Sequence, residues 1–188
     1  MSTIENDATF SHRVDVKDII ISVSENWQSF AVENYGGNSC LPENIIGTSL
    51  WNHIRDRETR HLYEIILQKV RRKKRLSVFS FRCDAPEKRR FLKLKVIPRE
   101  DGSVDFISQI VKVEHRETVH LLRTDIERSN EFLRICSMCK KIATGETKWE
   151  EVEIALHKLK LFEKDVLPQF THSVCKTCYD AMMEELER

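Results

Sequence analysis

The chain lacks any long apolar run. No stretch approaches the ~18 apolar residues that a membrane-spanning helix needs, and the polar residues after Met1 do not form an apolar signal segment. We therefore expect a cytoplasmic protein without a membrane anchor, a compartment in which thiols stay reduced. Residues 1–16 carry no apolar pattern and are predicted to form a flexible tail.

Glycine and proline are also scarce. The 188 residues include 5 Gly and 4 Pro, which argues against long disordered linkers. This length predicts one full domain and a small second one. The net charge is +1, so the chain as a whole has no strong attraction to nucleic acid or to an anionic membrane surface.

Catalytic constellations are absent from the sequence as well. No glycine-rich phosphate loop, Ser-His-Asp set or catalytic constellation of paired carboxylates stands out, and we predict that the protein is not an enzyme. The sharpest charge run, residues 71–75 (RRKKR), is expected to be a solvated helix end, because no basic reading helix adjoins it. We therefore do not expect nucleic acid as a partner.

The most informative feature present is a set of two Cys-x-x-Cys pairs. Cys136 and Cys139 form the first pair, and Cys175 and Cys178 form the second. Four thiolates make the tetrahedral, soft ligand set that Zn²⁺ prefers. Residues 136–188 are few and highly charged, so a structural zinc ion would supply folding free energy that apolar burial alone does not. We predict a Cys-rich zinc-binding module over this range.

Other interpretations of the cysteines stay open at this point. The same four thiols can hold iron or an iron–sulfur centre, or take part in redox exchange. His172, three residues before the second pair, is a direct ligand, a donor to a ligand sulfur, or an exposed histidine. Cations at Lys140, Lys141 and Lys176 would offset the negative charge of a thiolate site.

The first two thirds of the chain predict an α+β domain. Residues 19–23 are β-branched and predict one or two short strands, whereas residues 26–32 have helical spacing. Asp56 is a suitable N-cap for a long helix, and Asp101-Gly102 is a hairpin signal. Segments with alternating apolar residues predict three further strands at 77–83, 91–97 and 104–113. The order predicts a five-stranded antiparallel sheet with flanking helices on one face.

Several motifs together resemble a PAS domain. They are Asn26-Trp27-x-x-Phe30-Ala31, Ile46-Gly47-x-x-Leu50-Trp51 and the three terminal strands. The segment Phe81-Arg82-Cys83-Asp84-x-Pro86-x-x-Arg89-Arg90 is similar to a bacterial PAS-type subgroup that often carries a cysteine tail. That tail resembles Cys136–Lys141, Trp149–Glu153 and His172–Cys178 of this chain. The resemblance covers roughly residues 15–182 and implies a sensory or interaction module of signal transduction.

This resemblance and the spacing of apolar residues predict the organisation of the chain. A PAS-like sensory domain is expected at 17–116 and the zinc module, expected to be small and helical, at 136–188. Between them, a 3-4-3-4 spacing predicts a connector helix over 117–135, formed by Val119, Leu122, Ile126, Ser129 and Leu133. The signal would then leave through a partner protein or through self-association at residues 119–133. The alternative functions are a redox or oxygen sensor with iron at the cysteines, and a DNA-binding regulator.

Two further expectations concern the sheet domain. A cavity for a ligand that the sequence does not specify would be lined by Trp27, Phe30, Trp51, Phe79, Phe81, Leu94 and Phe106. Cys83 alternates with two phenylalanines and is predicted to be a buried thiol. Asp84 is expected to pair with Arg89 or Arg90 across the hairpin, and anion binding by these two arginines is the less favoured alternative.

Overall fold

A computed structural model describes residues 8–33 and 37–188, apart from the side chain of Glu33. The first sheet contains β1 (Thr9–Val14), β2 (Ile20–Val23), β3 (Ser77–Ala85), β4 (Lys88–Pro98) and β5 (Val104–His115). Its strands lie in the order β2-β1-β5-β4-β3, and every neighbouring pair is antiparallel. The predicted five-stranded antiparallel sheet of an α+β protein is therefore confirmed.

Strand β1 corrects the prediction that residues 1–16 form a flexible tail, of which residues 1–7 lie outside the described part. Residues 9–14 pair with both β2 and β5. Their inward side chains alternate: Phe10 stacks on Phe30 at 4.0 Å, His12 stacks on Phe106 at 4.8 Å, and Val14 is fully buried. The inward residues of this strand follow the period of two that is typical of strands. The polar His12 interrupts the apolar alternation, so the sequence did not reveal the strand.

The α-helices described between β2 and β3 are α1 (Trp27–Glu33), α2 (Pro42–Ile45) and α3 (Arg57–Lys73). The long helix begins as predicted, because the Asp56 carboxylate accepts a hydrogen bond from the backbone N–H of Thr59 at 2.8 Å. Leu62, Ile66 and Val70 form its buried face, in agreement with the 3–4 spacing of the apolar residues. This face covers the inward side of the sheet.

Residues 117–135 do not form the predicted connector helix. They contain a single 3₁₀ turn at His120–Leu122 and most of β6 (Ser129–Cys136). Strand β6 pairs in parallel with β9 (Pro168–Ser173), while Val119, Leu121 and Leu133 are buried in a separate small core. The helical spacing was coincidental, because pairing with a strand about 40 residues away decides the conformation of this segment and is not encoded locally.

The C-terminal module is mixed rather than helical. Its sheet has the order β8-β7-β6-β9, with β7 (Ile142–Ala143) and β8 (Trp149–Glu150), and its helices are α4 (Val152–Lys158) and α5 (Lys176–Glu187). Helix α4 begins only at Val152, because Trp149 and Glu150 pair with β7.

The module and the first sheet share one apolar core. Met138, Met182 and Leu186 belong to the same cluster of buried side chains as Ile66 and Phe79. A boundary between two domains at residue 136 remains a prediction. Among the described residues, every helix is too short or too polar to cross a membrane.

Candidate metal centre

The first cysteine pair lies in the tight turn between β6 and β7. The N–H of Cys136 donates to the carbonyl of Lys141 at 2.8 Å, and the N–H of Lys140 donates back to the carbonyl of Cys136 at 3.0 Å. Lys140 adopts a left-handed conformation with φ of 60°, which lets the chain reverse directly after Cys139. Both thiols therefore lie on the inner side of a rigid turn.

The second pair occupies the start of α5. Cys175 is the N-cap residue and Cys178 lies in the first turn, where the helix dipole favours negative charge. The N–H of Ser137 donates to the carbonyl of Ser173 at 2.8 Å, which joins the two cysteine loops. The N–H of Cys175 also donates to Cys136 Sγ at 3.4 Å. Backbone hydrogen bonds thus bring together two pairs separated in sequence.

The four sulfur atoms form a compact cluster. All four Sγ atoms lie within 4.8 Å of one another, and those of Cys139 and Cys175 are 3.8 Å apart. In a tetrahedral site with Zn–S bonds of ~2.3 Å, sulfur atoms are separated by about 3.8 Å, whereas a disulfide requires ~2.05 Å. The cysteines are free. The cluster is therefore positioned to hold a tetrahedral metal ion.

Protonation of the cluster is uneven. Hydrogen bonds from the Cys139 and Cys178 thiols hold the pKa of Cys136 far below its usual range. Donation to Cys136 raises the pKa of Cys139 to about 12, and the pKa of Cys178 is raised for the same reason. One thiolate is thus stabilised by its neighbours, while a second would be repelled by the first. A bound cation would remove this penalty and let all four sulfurs ionise.

Neither His172 nor the nearby lysines belong to the cluster. Within the described residues the four-thiol group does not include His172, whose exposed side chain lies on β9, and the geometry gives no support for direct ligation. Lys140 Nζ donates to the carbonyl of Ser137 at 2.8 Å, and the exposed Lys176 pairs with Asp180 at 2.7 Å. These lysines brace the turn and the helix locally.

Residues at the start of α3 hold the cysteine loops in place, a role that no sequence motif indicates. Glu58 accepts hydrogen bonds from Ser173 Oγ at 2.6 Å and from the N–H of Val174 at 3.1 Å. The Thr59 hydroxyl donates to Ser137 Oγ at 2.7 Å. Both cysteine loops are therefore attached to one helix that packs on the first sheet.

A cavity of about 680 Å³ adjoins the cluster. Cys139, Cys178 and Met182 form one wall and Phe79 and Phe81 another. The latter two are the only predicted cavity residues that line it. Of the other predicted residues, Leu94 and Phe106 are core residues, Trp27 and Trp51 pack against that core, and Phe30 stacks on Phe10.

The basic run at 71–75 serves the fold. Arg71 donates to the carbonyls of Asp15 at 2.7 Å and Gly102 at 3.0 Å. Lys73 Nζ donates to the carbonyl of Leu186 at 2.7 Å, and Arg75 donates to that of Glu185 at 3.0 Å. The last two contacts satisfy carbonyls at the end of α5. The run is therefore a structural clamp as well as a helix end.

The hairpin between β3 and β4 corrects two smaller expectations. Asp84 pairs with Arg82 at 2.5 Å and with Arg116 at 3.4 Å, rather than with Arg89 or Arg90. Arg89 lies opposite Asp84 on the same face but pairs with Glu153 at 2.6 Å. Arg90 lies opposite Cys83, on the other face of the strand. Cys83 is half-buried rather than fully buried.

Comparison with known proteins adds no identification. No protein-family model matches the chain, and no curated protein matches it either. The resemblance to PAS-type sensors therefore rests on the motifs and on the arrangement of elements.

Proposed function

We propose that the protein is a sensory or interaction protein of signal transduction, in which a PAS-type domain is coupled to a structural zinc module. Two features support this proposal. The elements follow the expected order of two strands, short helices, a long helix and three antiparallel strands. The four-thiol cluster has the ligand type and spacing that zinc requires.

The coupling of the two parts depends above all on Arg82. Its backbone N–H donates to the carbonyl of Met138, inside the first cysteine loop, at 2.7 Å. Its guanidinium is bound by Asp84 at 2.5 Å and by Glu151, the residue before α4, at 2.7 Å. A rearrangement of β3 would therefore displace both the metal loop and α4. This contact carries the proposal that the sheet domain transmits its state to the module.

Metal content is the first test. Protein purified anaerobically without added metal should contain one equivalent of zinc by elemental analysis and should show no visible absorbance, because Zn²⁺ has a filled d shell. Visible absorbance together with stoichiometric iron would instead support the alternative, a redox or oxygen sensor. Absence of any bound metal would contradict the proposal of a structural zinc site in this module.

The coupling itself is tested by hydrogen exchange. Chelation of the metal should speed amide exchange in β3, which contacts the metal loop, more than in β2, which lies at the opposite edge of the sheet. Unchanged exchange in β3 would contradict the proposed coupling.

The output surface needs revision, because residues 119–133 do not form a helical seam. Leu121 and Leu133 are buried, so self-association through this segment would use its exposed residues, such as Phe132, which is 68% exposed. A signalling partner or self-association remains part of the proposal. DNA binding is the weaker alternative, since Arg71, Lys73 and Arg75 are engaged by internal carbonyls.

A further inference from the structure

A second cavity, of about 480 Å³, lies at the tip of the hairpin between β3 and β4. Pro86, Lys88 and Arg90 from the hairpin form one wall. The opposite wall comes from the segment after β5 and includes Leu122 and Arg123. This cavity shares no lining residue with the cavity beside the cysteines. It is therefore a separate site.

Arg90 is the unusual group in this cavity. It is 5% exposed, and its side chain makes no hydrogen bond or ion pair to any residue in the described part of the chain. None of its nitrogens is both sealed from solvent and unpartnered, so the guanidinium, with five N–H donors, is open to the cavity. An otherwise buried arginine whose free donors face a cavity is positioned to hold a ligand there.

Other buried arginines of the protein show that Arg90 is an exception. The side chains of Arg82 and Arg116 are each 9% exposed, and each is bound by two carboxylates. Asp84 serves both of them. The fold thus supplies carboxylates to the buried guanidinium groups on the side of the hairpin that faces α4, whereas no carboxylate among the described residues pairs with Arg90.

The remaining charges of the cavity favour an anion. Lys88 and Arg123 add two cations, whereas the acidic residues there are Glu87 and Asp125. Asp125 is held by two hydrogen bonds from Arg123, at 2.9 and 2.6 Å, and Glu87 accepts one from the Thr118 hydroxyl at 3.2 Å. Both carboxylates already have donors of their own. These two carboxylates therefore do not neutralise Arg90.

We propose that this cavity binds a small organic oxyanion, a carboxylate or a phosphate, whose charged group is held by Arg90. The planar fork of a guanidinium matches either group through two parallel hydrogen bonds. The volume falls in the range of small-molecule sites and exceeds what an inorganic ion fills. An apolar body attached to the anion would contact Pro86 and Leu122.

The location suits a ligand that acts on the module. Arg128 donates to the carbonyls of Leu121 at 2.8 Å and Arg123 at 2.6 Å, and also to that of Pro168 on β9 at 3.0 Å. An anion between Arg90 and this segment would tie β4 to the chain that leads into β6. This last step rests on the proposed sensory function, whereas binding itself does not.

Isothermal titration of the full chain, with its metal left in place, tests the site. The probes are phenyl phosphate, benzoate and inorganic phosphate at constant ionic strength, with benzyl alcohol as a neutral control. At least one organic anion should bind saturably, and more tightly than inorganic phosphate. The first two probes distinguish a phosphate from a carboxylate ligand. No saturable binding by either organic anion would overturn the proposal.

Variants at position 90 assign the binding to Arg90. Arg90→Met should weaken binding at least tenfold, because it removes the guanidinium donors that would hold the anion. Lys93→Gln is the matched control: it removes one positive charge from an exposed position of the same strand and should leave the affinity unchanged. Arg90→Lys, which keeps the charge but loses the fork, provides a second variant should Arg90→Met fail to fold. Unchanged affinity in the Arg90 variants, or equal loss in Lys93→Gln, would refute the assignment.

Discussion

At the scale of single residues, the cysteine cluster depends on where its protons lie. Cys136 is fully buried and collects hydrogen bonds from two thiols and from the N–H of Cys175. The Cys139 and Cys178 thiols resist ionisation because they donate to it. A metal ion replaces those protons, so each ligand contributes both a bond and the relief of charge repulsion.

Loss of one ligand should therefore weaken the site strongly. Structural zinc sites bind the ion with a free energy of about 10–16 kcal/mol. Each of four ligands contributes roughly a quarter of this free energy, so Cys178→Ser should lose about 3–4 kcal/mol of binding free energy. That corresponds to an affinity roughly a hundredfold to a thousandfold lower, measured by competition with a chromogenic chelator. His172→Ala and Cys83→Ser are matched controls and should keep one equivalent of metal, because neither residue belongs to the cluster. Complete metal loss in His172→Ala would show that the histidine is a ligand.

His12 offers a second prediction, concerning pH. Burial, and then the neighbouring His53, lower the pKa of His12 to about 4, while Asp105 acts in the opposite direction. The unfolded chain has a pKa near ~6.5 and binds the proton more readily, so stability falls as the pH drops from about 6.5 to about 4. The total loss is roughly 3 kcal/mol, and it is absent above about pH 7.

Urea unfolding of the wild type and of His12→Phe at pH 7 and pH 4.5 measures this contribution. The variant should lose distinctly less stability on acidification, and the difference between the two proteins removes effects of the cysteines and carboxylates. His61→Gln, at an exposed position of α3, should behave like the wild type. Parallel pH dependences for wild type and His12→Phe would contradict the buried, neutral state of His12, whose Nε2 has no hydrogen-bond partner in the described chain.

At the scale of secondary-structure elements, the sequence was sufficient to predict the features that depend on interactions between residues close in the chain. Helix α3 was predictable from Asp56 and from the spacing of Leu62, Ile66 and Val70, because capping and one apolar face act within a few turns. The cysteine ligands were equally predictable, since two residues between ligands fix a turn around a metal. Strand β6 was missed because its partner β9 lies far along the chain, and the burial of Arg90 depends on a segment about 30 residues away.

The attachment of α3 to the cysteine loops is an element-scale contact that can be tested. Glu58→Ala removes two hydrogen bonds to Ser173 and Val174. Because Glu58 is itself exposed, we expect a loss of only about 1 kcal/mol and a metal release to chelator about fivefold faster. Glu64→Ala, an exposed acidic residue on the same helix that pairs with Arg60, is the control. Equal release rates in all three proteins would show that α3 does not restrain the loops.

At the scale of the whole molecule, the two parts are held together by one core. An autonomous zinc module would unfold without consequence for the rest of the chain, but Met138, Met182 and Leu186 pack with Ile66 and Phe79. The expectation from composition alone was a tail that depends only on its metal. The shared core adds a dependence of the sheet domain on the module, since burying each of these side chains contributes roughly 1.5–3 kcal/mol.

Chelation should therefore destabilise the sheet domain as well as the module. In a Trp149→Phe background the remaining tryptophans are Trp27 and Trp51, whose indole N–H groups bond to Cys40 at 2.9 Å and Asp18 at 3.1 Å within the first domain. Their fluorescence should report a lower urea midpoint after metal removal. Met182→Ala should lower the free energy of unfolding by about 2–5 kcal/mol, and with it the urea midpoint, without removing a ligand. Ile154→Ala, at a 45% exposed position of α4, should leave the urea midpoint unchanged. A tryptophan midpoint that stays the same with and without metal would mean that the two parts fold independently, and the signal could not then pass through their common core.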